Sequence, residues 1–246
     1  MKIAIYFSPT GGVKKVLDIV DKMIHFDQWI DLSPSDFDGQ LVNISEEDEC
    51  WVALPVFGGR ALPLGIERLR RIMGKNSRCI VIAVYGNRAF EDALLEMKEV
   101  CEMIGFKVAA GIAAIAKHSI LNHVATHRPD EEDAKILTQY VKLIGEKSTG
   151  EGMQCSGNHP YKDFKIILVP QILHERCIRC GKCRTACPNQ AIGENFMIDE
   201  SKCISCMRCV AICPVKAREV EPQRLKMMSE KLAEATADRK EYQLFL

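Results

Sequence analysis

The chain lacks a charge excess of either sign: 33 Lys and Arg balance 33 Asp and Glu. A nucleic-acid-binding protein usually carries a basic surplus, so a nucleic-acid partner is not expected. Long apolar runs are missing too. The smoothest, Val108–Ala116, is far short of the ~20 residues that a membrane span needs. The opening run, Ile3–Phe7, is too short for a secretory leader, and Ser8–Gly12 breaks it with turn formers. No Gly-Lys-Ser/Thr follows that turn, which excludes a nucleoside-triphosphatase loop. A G-x-G-x-x-G pattern is also absent there, so a dinucleotide site is not expected. No nucleophile–base pair or carboxylate pair stands out, which leaves chemistry to cofactors. These absences read as a soluble, cytoplasmic chain with no membrane span. The remaining composition, 47% hydrophobic and 27% charged, is that of a globular protein.

Cysteine is abundant instead. There are 12, and eight fall between residues 177 and 213. In a reducing cytosol such a cluster points to metal ligation rather than disulfides. Cys177, Cys180, Cys183 and Cys187 read C-x2-C-x2-C-x3-C, closed by Pro188. Cys203, Cys206, Cys209 and Cys213 repeat the spacing, closed by Pro214, each 26 residues after its counterpart. Zinc ribbons use separated C-x2-C pairs and need no third cysteine at that interval. A redox disulfide needs only one pair. The eight-ligand pattern matches the bacterial ferredoxin run with two [4Fe–4S] clusters, in which the halves exchange their last cysteine. The expected ligand sets are Cys177, Cys180, Cys183 and Cys213, and Cys203, Cys206, Cys209 and Cys187. Ile178, Ile192, Ile204 and Val215 are the expected apolar shell. Cys50, Cys79 and Cys101 read as small buried hydrophobes, and Cys155 has no assigned role.

Residues 1–148 alternate strand and helix patterns. Short apolar runs at Ile3–Phe7, Trp29–Leu32, Trp51–Phe57, Cys79–Val84 and Val108–Ala116 are separated by helical spacing such as Val13, Val16, Leu17 and Val20. Five βα units predict an α/β domain with a doubly wound parallel sheet. Residues 149–170, rich in Ser, Gly, Asn and Pro at their start, read as a linker. Residues 171–220 form a small α+β dicluster unit, and 221–246 a C-terminal helix and tail.

Three loops follow strand ends. Ser8, Thr10, Gly11, Gly12 and Val13 precede the first helix, where converging amides and the helix dipole favour an anion; a ligand-free βα turn is the alternative. Pro55, Val56, Phe57, Gly58 and Gly59 follow the third strand. Tyr85, Gly86, Asn87 and Arg88 follow the fourth. Strand order 2-1-3-4-5 sets these loops side by side, where open α/β sheets bind ligands. A phosphate loop beside two glycine-bearing loops for a flat ring is an FMN arrangement. His118 ends the fifth strand, either near that ring or as an ordinary surface histidine.

These residues carry a resemblance. Ser8–Gly12, Pro55–Pro63, Tyr85–Arg88 with Ala93-Leu94, His118-Ser119, Arg128-Pro129-Asp130, Gly157-Asn158 and Pro160-Tyr161-Lys162 resemble flavodoxin–ferredoxin fusion proteins of anaerobes, nearly end to end. The resemblance implies a flavodoxin-like fold, FMN beside the two clusters, and electron exchange with protein redox partners. Val13 departs from it, since such phosphate loops usually carry Ser or Thr there. Thr10–Val13 amides remain, with Lys14 as a substitute donor. A flavin-dependent reductase of a small molecule, or a flavin-free docking domain, are the other readings. Arg176, Arg179, Lys182, Arg184, Lys202, Arg208, Lys216 and Arg218 surround the cysteines, either to steer an acidic partner or as ordinary solvated charge.

Overall fold

A computed structural model describes residues 1–38, 42–147, 152–165 and 168–246. Five strands, β1 (Lys2–Tyr6), β2 (Gln28–Asp31), β3 (Glu49–Phe57), β5 (Arg78–Tyr85) and β6 (Lys107–Ile115), lie parallel in the order β2-β1-β3-β5-β6. A short β4 (Arg60–Ala61) folds back on β3. This is the expected 2-1-3-4-5 order of a flavodoxin-like sheet. The central strands are buried on both faces, which is why they read as continuous apolar runs without alternation.

Helices cover both faces. Helices α2 (Pro63–Leu69) and α3 (Ala93–Met103) bury Ile66, Leu94 and Met97 against Ile5, Val52 and Val81. Helices α1 (Gly12–Ile24) and α4 (Glu131–Lys147) bury Val16, Leu17 and Leu137 against Ala4, Ile82 and Ala113. Neighbouring residues of one strand thus serve opposite cores, as the period of two demands.

The cysteine segment repeats in its backbone as well as its spacing. It holds β7 (Gln171–Ile172) paired with β8 (Arg218–Glu219), and the helical turns α5 (Lys182–Thr185) and α6 (Arg208–Ala211). Residues 26 apart share left-handed φ: Arg179 and Ser205 at 53° and 52°, Gln190 and Lys216 at 48° and 51°. Left-handed backbone outside glycine is strained. Matching strain in both halves marks a conformation set by the shared ligand loop.

Two segments differ from expectation. Part of the expected linker, 148–151 and 166–167, lies outside the described residues, but 152–165 is fastened to the first domain. Asp92 accepts from the amides of Asn158 and Lys162 at 2.9 and 2.8 Å, and Met153 is buried in the core beneath α3. The expected C-terminal tail also returns. Helix α7 (Pro222–Ala237) leads to β9 (Gln243–Phe245), which pairs antiparallel with β6 and extends the first sheet. The cysteine unit is therefore inserted between α4 and the last strand of the α/β domain. Three-residue β9 carries too little periodicity to announce itself.

Candidate cofactor sites

The turn from β1 into α1 builds an anion cradle. Gly11, the residue before α1, has φ +86°, where a side chain would be strained. The amide of Lys14 donates to Ser8 Oγ at 3.0 Å, and that of Lys15 to the Gly11 carbonyl at 3.0 Å. No hydrogen bond between described residues takes the amides of Thr10 to Val13. These donors and the dipole of a 13-residue helix face a cavity lined by Ser8, Thr10, Gly12 and Val13. Lys14 does not compensate for Val13. Its ammonium pairs with Asp18 and sits 4.0 Å over the Trp29 ring.

A second cavity of about 660 Å³ continues from the first and shares Val56, Phe57, Gly86 and Ser119 with it. Such a volume suits a cofactor-sized ligand. Its floor is the β3 and β5 loops with His118; its roof is Lys162 and Lys165 of the fastened segment and Met228, Lys231 and Leu232 of α7. Gly86 is needed there, because a Cβ would stand 2.7 Å from His118 Cδ2. His118 Nδ1 accepts from the amides of Ile120 and Leu121 at 3.1 and 3.0 Å. The ring is thereby held with its proton on Nε2. Burial, helped by His123 and Arg88, lowers its pKa to about 4, so it is neutral at pH 7.

The predicted loop residues divide. Pro55, Val56, Phe57, Tyr85 and Gly86 line one or both cavities with the phosphate loop, and Gly58 and Arg88 line the larger one. Arg88 is tied to Glu91. Gly59, with Gly58, turns the β3–β4 hairpin, where a Cβ would strike Glu91. Tyr85 is a core residue against Phe90, with no ring face free to stack. Asn87 is the clear correction. Its Nδ2 donates to the carbonyls of Thr236 and Asp238, and its Oδ1 accepts from the Lys240 amide. It holds the C-terminal chain and lines neither cavity. Sequence reasoning missed Ser119, Lys162, Met228 and Lys231. Only the resemblance through His118-Ser119 and Tyr161-Lys162 hinted at two of them.

The eight repeat cysteines surround two further cavities. One is lined by Cys177, Cys180, Cys183 and Cys213, the other by Cys187, Cys203, Cys206 and Cys209. Each set takes three cysteines from one half and one from the other, the exchange that the spacing predicts. Among the described residues no His, Cys, Asp or Glu side chains gather about one ion point. The amides of Ala191 and Ala217 donate to Cys187 and Cys213 Sγ at 3.2 and 3.1 Å. Burial pushes the thiols of Cys206 and Cys209 up to about 12, so their thiolates need a cationic ligand. Arg218 and Arg208 each leave one buried nitrogen without a partner among the described residues, Nη1 and Nε, in the walls of the two cavities. Sulfide-bearing clusters would supply acceptors, so the residues fit the group. All four expected shell residues line these cavities, Ile178 and Val215 the first and Ile192 and Ile204 the second; Ile178 is also 63% exposed, and Ile204 also packs on the α/β core.

The second cysteine set abuts the first domain. Arg68 of α2 donates to the carbonyls of Leu32, Pro34 and Pro188 at 2.5, 2.7 and 2.5 Å. Met207, next to Cys206, packs in one apolar cluster with Ile120 and Met228, which line the larger cavity.

Residues 170–193 and 196–219 each match the 4Fe-4S binding domain family. Two such repeats carry two [4Fe–4S] clusters. The chain joins a flavodoxin-like α/β domain to a dicluster ferredoxin-like unit. Its role is redox electron transfer. Solved structures similar to the first domain include an NADH:FMN oxidoreductase, 16% identical, TM-score 0.45, covering 61% of this chain and 90% of that one. Flavodoxin 2 from Bacillus cereus is 14% identical, TM-score 0.43, covering 60% and 99%. An archaeal flavodoxin is 17% identical, TM-score 0.40, covering 60% and 98%. No protein of curated function matches the chain by sequence. Among the described residues no helix is long and apolar enough to cross a membrane.

Proposed function

We propose that the protein passes electrons between FMN in the α/β domain, the two [4Fe–4S] clusters, and external redox proteins. The observation that carries this reading is the apolar cluster that holds Met207 and Ile120 with Met228 packed against it, which joins the second cysteine set to the larger cavity. The free amides of Thr10–Val13, with the Ser8 and Thr10 hydroxyls, hold the phosphate. Val56, Phe57, Gly58 and Gly86 flank the ring, and Arg88 lies at its edge. Helix α7 and Lys162–Lys165 exclude water from it. FMN handles one or two electrons and each cluster one. Cys177, Cys180, Cys183 and Cys213 ligate the outer centre; Cys203, Cys206, Cys209 and Cys187 ligate the inner one.

The outer centre opens to solvent at Cys180 and Ile178. Exposed Arg176, Arg179, Lys182 and Arg184 rim it. That charge suits an acidic ferredoxin or flavodoxin, with steering that weakens as salt rises. Stopped-flow reduction by such a partner, across a salt series, tests the reading. The wild-type rate should fall with salt, and Arg179→Glu/Lys182→Glu should be slow throughout. A salt-independent rate, unchanged in the double variant, contradicts the docking face.

A further inference from the structure

The two halves of the repeat are not equivalent at one buried position. Arg218 and Ile192 lie 26 residues apart and are 3% and 4% exposed. Each directly follows an alanine whose amide donates to a cysteine sulfur, Ala217 to Cys213 and Ala191 to Cys187. Identical backbone positions therefore carry a guanidinium in one site and an alkyl group in the other.

Arg218 is built into the first site. Its Nη2 lies 3.6 Å from Cys183 Sγ and 2.5 Å from the Phe196 carbonyl. Its Nη1 is buried without a described partner, in the wall of the Cys177/Cys180/Cys183/Cys213 cavity. Other matched positions contribute in both directions. Arg179 lines that cavity, whereas its counterpart Ser205 is buried and donates to the Leu168 carbonyl at 2.6 Å. Lys182 and Arg208 are both cations, one at each cavity; Lys182 is exposed while Arg208 buries its Nε at the second cavity, which offsets part of the difference without matching the bond from Arg218 to a ligand sulfur. Solvation adds to the difference, since Cys203 and Cys206 are buried and Cys180 is exposed.

We infer that Arg218 sets the order of the two reduction potentials, making the centre of Cys177, Cys180, Cys183 and Cys213 the higher one. Reduction adds one electron, and so one negative charge, to a centre. A buried guanidinium bonded to a ligand sulfur favours that added charge, and burial away from water opposes it. The inner centre therefore passes its electron outward, and the electron rests at the exposed face. The inference depends on both cysteine sets holding [4Fe–4S] clusters.

Redox titration followed by electron paramagnetic resonance tests it, with iron counted in every sample. Wild type should titrate in two separate steps. Arg218→Ile should lower the higher step alone, by at least a tenfold change in the equilibrium between centres, about 59 mV for one electron. Ile192→Arg should raise the lower step, and Arg218→Lys should keep most of the wild-type separation. If Arg218→Ile sheds its cluster, Ile192→Arg and Arg218→Lys carry the same test. An Arg218→Ile that moves the lower step, or neither, overturns the inference, as does an Ile192→Arg that leaves the lower step in place. Wild-type protein with fewer than two clusters instead overturns the cofactor reading on which the inference rests.

Discussion

Asn87 and Asp238 are joined across 151 positions of sequence: Asn87 Nδ2 donates to the Asp238 carbonyl at 2.9 Å. The same amide group donates to Thr236 at 3.1 Å, and Asn87 is only 5% exposed. A residue in a cofactor loop thus anchors the end of α7, which roofs the larger cavity. Asn87→Leu leaves these carbonyls and the Lys240 amide unpaired, at a cost of about 1–3 kcal/mol. Faster amide hydrogen exchange over 236–246, with a lower unfolding midpoint, is expected. Unchanged exchange there would mean that Arg128, Arg239 and Tyr242 hold the tail alone.

Gly11→Asp puts a carboxylate before the amides of Thr10–Val13, where the phosphate is proposed to sit. Flavin titration should show loss of FMN binding while iron content stays at the wild-type level. FMN affinity unchanged in Gly11→Asp would remove the phosphate site from this loop.

His118 gives a pH dependence. Its pKa falls to about 4 in the folded chain, chiefly by burial, against about 6.5 when unfolded. Below 6.5 the unfolded chain takes up a proton that the folded chain refuses until pH 4. Stability from this residue is therefore full above pH 6.5 and is lost as pH falls toward 4, by on the order of 3 kcal/mol at most. Denaturation midpoints at pH 5 and 7.5 should differ less in His118→Gln than in wild type. An equal difference in both would exclude His118 as the source.

Cys187→Ala tests the exchange of ligands between halves. The site lined by Cys203, Cys206 and Cys209 should lose its centre, leaving the one beside Arg218. Loss of the Arg218-side centre instead would assign Cys187 to its own half.

Local patterns were legible in the sequence, and long-range ones were not. The cysteine spacing encodes its own loop, because three ligands at x2 intervals impose left-handed turns at Arg179 and Ser205. The apolar runs of β3, β5 and β6 announced a buried parallel sheet. Asn87 was misread because a loop asparagine looks alike whether it faces a ligand or a distant carbonyl. Residues 152–165 looked like a linker by composition, yet Asp92, 66 positions before Asn158, pins them. Lys14 looked like a phosphate donor until Asp18 and Trp29 were seen to engage it. Arg218 counted as one more rim cation, and its burial and its bonds to Cys183 and Phe196 separate it from Arg179.

Cofactor analysis of the anaerobically purified full chain tests the central claim most directly. Two clusters of four irons give eight irons per chain, and the proposed phosphate loop would hold one FMN. Iron, acid-labile sulfide and flavin measured on the same sample should stand near 8:8:1 by this account. Four irons or fewer, or an intact iron count with no FMN even after FMN is supplied, would contradict it.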